Sequence, residues 1–227
     1  MLQNQIFNST FHLNFPLLKR EVFQGHFQPL EGFIDFYIER KKLKFDGGWQ
    51  DQIIASYGGF QRIKISKKGK FRTNLIKISK KSLKKIEDHF FLIFTEETRK
   101  SKNIIKEQRK NIKKIIKNYD FIKSKVNEMN KAIKSADIKL IGEIFHEHWI
   151  EKKKLTKNIT NKKFNNMYSG MMKTDLFYGG KIIGAGGGGF FLMVAKNPQK
   201  VFNYLKNVKY RYTKIRFDFS GCKIISS

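Results

Sequence analysis

Residues 47–60 read Gly-Gly-Trp-Gln-Asp-Gln-Ile-Ile-Ala-Ser-Tyr-Gly-Gly-Phe, and residues 179–191 read Gly-Gly-Lys-Ile-Ile-Gly-Ala-Gly-Gly-Gly-Gly-Phe-Phe. The first stretch places an acidic residue, Asp51, between two glycine pairs. The second places a glycine run between apolar segments, which favours a tight loop joining two strands over a flexible linker. The interpretation of the whole chain starts from these two stretches.

The composition is that of a globular protein. The chain has 227 residues, of which 40% are hydrophobic, and this permits one large domain or two small ones. Its longest apolar run, residues 190–195, is too short to span a bilayer, and no secretory signal is apparent at the N-terminus. The single cysteine, Cys222, excludes a disulfide within the chain. We therefore predict a cytoplasmic protein without a membrane partner.

The net charge of +28 has two interpretations. Clustered lysines bind the phosphates of nucleic acids, so a basic nucleic-acid-binding protein is one hypothesis. The other is a lysine-rich proteome, which we favour because Lys and Asn crowd nearly every polar position of the chain while Ile and Phe fill the apolar ones. A basic surface would also attract ATP and phosphorylated metabolites.

Hydrophobic periodicity predicts the elements of the first part of the chain. Residues 34–44 form an expected helix, residues 49–56 a short helix or turn, and residues 60–65 and 71–76 two strands joined by a turn at 67–69. A polar segment at about 78–88 predicts a domain boundary. The expected domains are residues 1–84 and 85–227.

After this boundary the pattern alternates between strands and helices. It predicts strands at 89–95, 181–183, 190–195 and 215–219, and helices at about 105–119, 122–133, 136–154, 164–178 and 198–207. Ser135 is the expected cap of the 136–154 helix, with Ile138, Ile141, Phe145 and Trp149 on its buried side. Short strands with helices stacked on one face predict an α+β sandwich of ferredoxin-like type.

The two glycine-flanked stretches, in this order and at this separation, resemble two of the three signature blocks of the GHMP small-molecule kinases. The chain is most similar to the subgroup that phosphorylates heptose 7-phosphates. This resemblance covers about residues 34–227. It implies a ferredoxin-like C-terminal domain, preceded by part of a ribosomal S5-like N-terminal domain. It also implies ATP and Mg²⁺ as cofactors and a sugar phosphate as the small-molecule partner.

The resemblance also implies roles for two carboxylates. Asp51 corresponds to the residue that accepts or orients the proton of the attacking sugar hydroxyl. The alternative is that Asp51 only caps the helix that begins there. Glu39, twelve residues earlier, corresponds to an acidic Mg²⁺ ligand, and its alternative is an exposed glutamate paired with a neighbouring lysine.

Two further segments match the family. The glycine run corresponds to the block that shapes the nucleotide end of the site, which makes cofactor-binding candidates of Gly184, Ala185, Gly186, Gly187 and Gly188. Residues 95–101 resemble a Thr-Gly-x-x-Arg-x-Ser pattern, with Glu96 in place of the glycine. Arg99 is then a candidate for the substrate phosphate, or a surface residue at a helix start. His146 and His148 point to nearly opposite helix faces, so we interpret them as packing residues and not as a metal pair.

The family's phosphate loop is not intact. Ser9 and Thr10 stand where its serines are expected, but Gln5, Ile6 and Phe7 replace the glycines before them. Bulky and β-branched residues cannot supply a tight, amide-rich turn. We expect an N-terminally truncated kinase that is inactive on its own. We favour a broken gene over half of a split protein or a non-catalytic homologue.

The predicted function is therefore ATP-dependent phosphorylation of a sugar or sugar phosphate. The alternatives are the nucleic-acid-binding protein, from which DNA or RNA binding with steep salt dependence is expected, and a nucleotide-binding pseudokinase.

Overall fold

The structure is a computed structural model that describes Lys42 and residues 50–66, 71–97 and 101–221. These residues fall into two compact units. The first takes its residues from Met1–Lys77 and Arg216–Ser227, and the second spans Ile78–Ile215. Apart from Lys42, the predicted helix at 34–44 lies outside the described residues. The predicted turn at 67–69 lies outside them as well.

Among its described residues, the first unit contains one helix and one β-hairpin. Helix α1 spans Gln50–Tyr57, and strands β1 (Gln61–Ile65) and β2 (Phe71–Leu75) pair antiparallel, with Gln61 opposite Leu75. Ile53 and Ile54 of α1 are buried. The predicted helix at 49–56 and the two predicted strands are thereby confirmed.

The C-terminal segment of the first unit packs against the turn between α1 and β1. The N–H of Gly59 donates to the carbonyl oxygen of Asp218 at 2.7 Å. The rings of Phe217 and Phe219 lie 4.5 and 5.8 Å from that of Phe60, measured between centroids. The predicted strand at 215–219 is wrong. Its alternating aromatic residues, Phe217 and Phe219, pack against Phe60 and do not line a sheet.

The second unit is built on an antiparallel sheet of four described strands in the order β4-β5-β3-β6. The strands are β3 (Phe90–Phe94), β4 (Phe177–Ile182), β5 (Phe190–Ala195) and β6 (Tyr212–Lys214). The helices are α2 (Lys80–His89), α3 (Ser101–Lys110), α4 (Ile112–Ser124), α5 (Val126–Ser135), α6 (Ile138–Lys153), α7 (Lys162–Lys173) and α8 (Pro198–Asn207). A 3₁₀ turn spans Lys157–Ile159. Within the described ranges, no helix has both the length and the apolar character that a membrane span needs.

Helix α6 is the main helix against the sheet. Its first residues are capped by Asp137, whose side chain accepts a hydrogen bond from the N–H of Leu140 at 3.0 Å. Ser135, the predicted cap, is instead the last residue of α5, since Ala136 in left-handed conformation ends that helix. The predicted apolar stripe is confirmed, because all four of its members are buried: Ile138, Ile141, Phe145 and Trp149.

Residues 80–89 form α2, a helix that was not predicted from the sequence; Ser79 caps it and Ile86 lies on its buried side. One prediction about the backbone is wrong. Gly179 and Gly180 do not end a helix, since α7 stops at Lys173 and both glycines lie inside β4. The strand needs glycine there because a Cβ on Gly179 would lie 2.2 Å from the carbonyl oxygen of Gly142 in α6.

Candidate functional site

Asp51 lies in the first turn of α1 and its side chain is exposed. The glutamines on either side, Gln50 and Gln52, are each 6% exposed. The helix therefore holds its glutamines in the interior and directs the carboxylate outward. The structure places Asp51 at a helix start, as predicted; its catalytic role stays a prediction.

The side-chain oxygen of Gln50 is a buried acceptor that receives no hydrogen bond within the described residues. Burying an acceptor without a donor costs about 1–3 kcal/mol.

The glycine loop, residues 184–189, connects β4 to β5 in the second unit. Five of its six residues have positive φ: Gly184 (70°), Gly186 (103°), Gly187 (76°), Gly188 (138°) and Gly189 (90°). Side chains rarely adopt this conformation, so the sequence needs glycine at these positions. No hydrogen bond in the described parts of the chain takes up the N–H groups of Gly184, Ala185, Gly186 or Gly188. Successive backbone N–H groups that face one concavity can bind an anion.

The far end of the loop is held in place by hydrogen bonds. The N–H of Gly187 donates to the carbonyl oxygen of Ile159 at 2.8 Å, and that of Gly189 donates to Glu97 at 2.7 Å. The carbonyl oxygen of Gly189 accepts from the N–H and from the hydroxyl of Thr95, each at 2.9 Å. The alternative of a flexible linker is therefore wrong.

Two buried lysines lie behind the start of the loop, and neither was predicted as a site residue. Lys152, at the end of α6, is 8% exposed, and its Nζ donates to the carbonyl oxygens of Gly184 at 2.5 Å and Ile182 at 3.3 Å. Lys181 of β4 is 4% exposed, with its Nζ 5.0 Å from the centre of the Phe145 ring. Burial, with a smaller contribution from the charge of Lys152, lowers the pKa of Lys181 to about 7.

The turn after β3 brings the predicted substrate segment next to this loop. Glu96, which stands where the predicted pattern has glycine, has a φ of 61°, in the left-handed region that favours glycine. Its carboxylate and that of Glu97 lie 3.3 and 3.8 Å from the Nζ of Lys163 in α7. Arg99 itself lies outside the described residues.

A cavity of about 530 Å³ opens beside the same turn. Its apolar wall is formed by Phe94, Met167 and Tyr210, and its polar rim by Thr95, Glu96, Lys162, Lys163 and Asn166. An apolar wall with a few polar groups is typical of small-molecule sites.

The two histidines of α6 have different surroundings. His146 stacks on Tyr168, and its Nδ1 lies 2.8 Å from the Tyr168 hydroxyl. That hydroxyl donates to the carbonyl oxygen of Gly180 at 3.1 Å, so Nδ1 is the donor to Tyr168. Burial, followed by the charge of Lys153, lowers the pKa of His146. His148 is buried, and no group of three potential metal ligands occurs in the part of the chain that the structure describes.

Not all candidates can be placed. Ser9, Thr10, Glu39 and Arg99 lie outside the described residues. Asp51 belongs to the first unit, whereas Gly184, Ala185, Gly186, Gly187 and Gly188 belong to the second. Their roles stay predictions.

Comparison with known proteins shows what the second unit is similar to. Residues 129–213, from α5 to β6, match the family model described as GHMP kinases C terminal. This matched domain contains α6, the glycine loop and both buried lysines.

The GHMP kinase match extends beyond this domain. A D-glycero-alpha-D-manno-heptose 7-phosphate kinase of Campylobacter jejuni is 27% identical over 213 residues, which are 93% of this chain and 59% of the relative. The chain thus spans about three fifths of the length of that curated relative.

Solved structures share the fold. A D-glycero-D-manno-heptose 1-phosphate kinase from Bacteroides thetaiotaomicron superposes with a TM-score of 0.64 at 23% identity, covering 86% of this chain and 55% of its own. The mevalonate kinase of L. major gives a TM-score of 0.60 at 14% identity, covering 78% and 52%. The predicted α+β fold with a GHMP-type C-terminal domain is confirmed.

Proposed function

We propose that this chain is an ATP-dependent sugar kinase of GHMP type, which transfers a phosphoryl group to a hydroxyl of a phosphorylated sugar such as heptose 7-phosphate. The glycine loop carries this proposal, because four of its N–H groups have no acceptor among the described residues and two buried lysines lie behind it. The 27% identity to a heptose 7-phosphate kinase supports the choice of acceptor.

The nucleotide phosphates would bind at the glycine loop. Backbone N–H groups suit phosphate oxygens because they can donate hydrogen bonds to the anion when no protein acceptor takes them up. We assign Gly184, Ala185, Gly186, Gly187 and Gly188 to this end of the site, together with the hydroxyls of Ser9 and Thr10. Mg²⁺ would neutralise the charge of the phosphates, with Glu39 as its protein ligand.

Asp51 would act on the attacking hydroxyl. An exposed carboxylate fixed at the start of a helix can accept or orient the proton of a sugar hydroxyl. Arg99 would bind the phosphate that the sugar already carries, because its guanidinium matches a phosphate bidentately.

The cavity beside Thr95 is the place in the second unit that fits the sugar. Phe94 and Tyr210 would contact the carbon skeleton, while Asn166 and Lys162 would bind hydroxyls or phosphate. We further propose that the enzyme works in the cytoplasm, where ATP and the sugar phosphate are available. The predicted domain boundary at residues 84/85 stays a prediction; the two compact units divide between Lys77 and Ile78.

The test is phosphoryl transfer from γ-labelled ATP to D-glycero-D-manno-heptose 7-phosphate with Mg²⁺, comparing the unaltered chain with Asp51→Asn. Asn keeps the capping ability of Asp but cannot take a proton, so transfer should fall by about 100-fold or more. Asp120→Asn is the matched control, since Asp120 is also an exposed aspartate on a helix, α4.

The outcomes separate the hypotheses. Transfer that Asp51→Asn abolishes, with ATP binding retained, supports the kinase. ATP binding without any transfer by the unaltered chain supports the nucleotide-binding pseudokinase or the expected truncated kinase that is inactive on its own. Equal transfer by Asp51→Asn and the unaltered chain contradicts the role of Asp51. DNA or RNA binding with steep salt dependence and no response to ATP would favour the nucleic-acid-binding protein.

A further inference from the structure

Lys152 is a charged side chain in an unusual place. Lysine is almost never fully buried unless its ammonium has partners. Here the ammonium is withdrawn from solvent at the end of α6 and donates to two backbone carbonyl oxygens, those of Ile182 and Gly184. Hydrogen bonds from a charged donor are roughly twice as strong as neutral ones. The two contacts fix the backbone at the point where β4 becomes the glycine loop.

This contact determines how one peptide group of the loop is oriented. In a planar trans peptide the C=O and the following N–H point in opposite directions. Because the carbonyl oxygen of Gly184 points at Lys152, the N–H of Ala185 points away from the helix. That N–H is one of the four that no acceptor in the described residues takes up.

The near end of the loop depends on Lys152 more than the far end does. Gly187 and Gly189 are held by the carbonyl oxygens of Ile159 and Glu97. At Gly184, which has a φ of 70° and no heavy atom within 4 Å of an added Cβ, the ammonium of Lys152 supplies the hydrogen bond. A glycine without such a contact samples many conformations.

Lys152 carries most of the positive charge behind the loop. Lys181, buried in β4, has its pKa lowered to about 7 by burial and by the charge of Lys152. The ring of Phe145 faces it from α6. The ammonium of Lys152 raises the potential at the loop N–H groups that no described acceptor takes up, and low polarity in the interior makes such interactions stronger than in water.

We propose that Lys152 is a positioning residue for the nucleotide: it orients the Gly184–Ala185 peptide so that the Ala185 N–H binds a phosphate oxygen. This inference rests on the proposed function, because the anion is the phosphate of ATP. It assigns Lys152 no contact with ATP itself.

The experiment compares Lys152→Met with Lys153→Met in the full chain. Methionine keeps an unbranched side chain of similar length but cannot donate. Lys153 is the matched control, since it is the next residue of the same helix end and its Nζ lies over the Trp149 ring at 5.7 Å, away from the loop contacts that Lys152 makes. Amide hydrogen exchange of peptides covering 183–189 reports the loop, and an ATP titration reports binding.

We expect Lys152→Met to speed exchange of the loop amides and to weaken ATP binding, each by about tenfold or more, as the loss of a hydrogen bond to a charged group implies. Lys153→Met should stay within about twofold for both. Lys152→Arg, which retains donors, should recover part of the ATP affinity. A purely structural role would lower the melting temperature and leave the ATP affinity of the folded fraction unchanged.

Three results would overturn the inference. Unchanged loop exchange in Lys152→Met means that this lysine does not hold the loop. Normal ATP affinity in a variant with faster loop exchange means that the loop conformation is irrelevant to phosphate binding. If the unaltered chain does not bind ATP, the proposed function fails and this role fails with it.

A second variant covers the case in which Lys152→Met does not fold. Ala185→Pro removes the N–H in question at a position whose φ is not positive. We expect it to weaken ATP binding by about tenfold while Lys152 stays in place. Unaltered ATP affinity in this variant would overturn the inference.

Discussion

Gly142 of α6 and Gly179 of β4 lie in direct backbone contact. A Cβ added to Gly179 would come within 2.2 Å of the Gly142 carbonyl oxygen, and one added to Gly142 would come within 2.3 Å of the Tyr178 Cβ. The helix therefore packs on the strand closely enough to exclude any side chain between them. This contact sets the position of the helix whose last turn carries Lys152.

Gly142→Ala should destabilise the protein although alanine is the better helix former. The added methyl group has no space, and overpacking costs about 1–3 kcal/mol. Gly170→Ala in α7 is the control, because an added Cβ there meets nothing within 4 Å. It should stabilise by about 0.5–1 kcal/mol. Urea unfolding of both variants measures the difference, and equal stabilisation by both would contradict the close contact.

Glu96→Gly should be more stable than Glu96→Ala. Both variants lose the ion pair with Lys163, but only glycine relieves the left-handed backbone at a φ of 61°. The difference should be about 1 kcal/mol in free energy of unfolding. Urea midpoints of the two variants provide the test. Equal stability would mean that the turn is not held in this conformation.

The elements that could be predicted from sequence are those whose signals are local. Strand β5 matches the apolar run at 190–195, and α8 begins where Asn197 and Pro198 predicted it, with Asn197 as its cap. Local rules failed where a distant contact decides the structure. Gly179 looked like a helix stop, and its need for glycine comes from Gly142, far away in sequence.

The candidate site shows the same division. The loop could be predicted from the glycine run, because glycine adopts backbone conformations that other residues avoid. Lys152 went unrecognised within the run Lys152–Lys154, which resembles an exposed helix end. A signal was present: Lys152 continues the helical spacing of Ile138, Ile141, Phe145 and Trp149, so it falls on the buried side. Lys181 gave no comparable signal, since a strand with one lysine is ordinary.

The stability of the protein should depend on pH through Lys181. Its pKa is about 7 in the folded protein, against an ordinary value of 10.5, because burial and then the charge of Lys152 disfavour the ammonium. Between these two values the unfolded chain binds a proton that the folded chain does not. The free energy of unfolding should therefore rise with pH in this window, by about 1.4 kcal/mol per pH unit for one proton.

Lys181→Met isolates this contribution. Methionine does not titrate, so the unaltered protein should gain stability relative to the variant between pH 7 and pH 10, measured by urea unfolding at several pH values in this range. Other groups titrate in the same range, and the comparison cancels them. Parallel pH profiles for the two proteins would show that Lys181 keeps its ordinary pKa.

The central claim is that the chain holds a nucleotide at its glycine loop, and thermal unfolding with and without MgATP tests it most directly. ATP at about a hundred times its dissociation constant should add about 2.7 kcal/mol to the free energy of unfolding, provided that it binds only the folded state. We predict a clear rise in the melting temperature that requires Mg²⁺. A cooperative transition at the same temperature with and without MgATP would contradict the account.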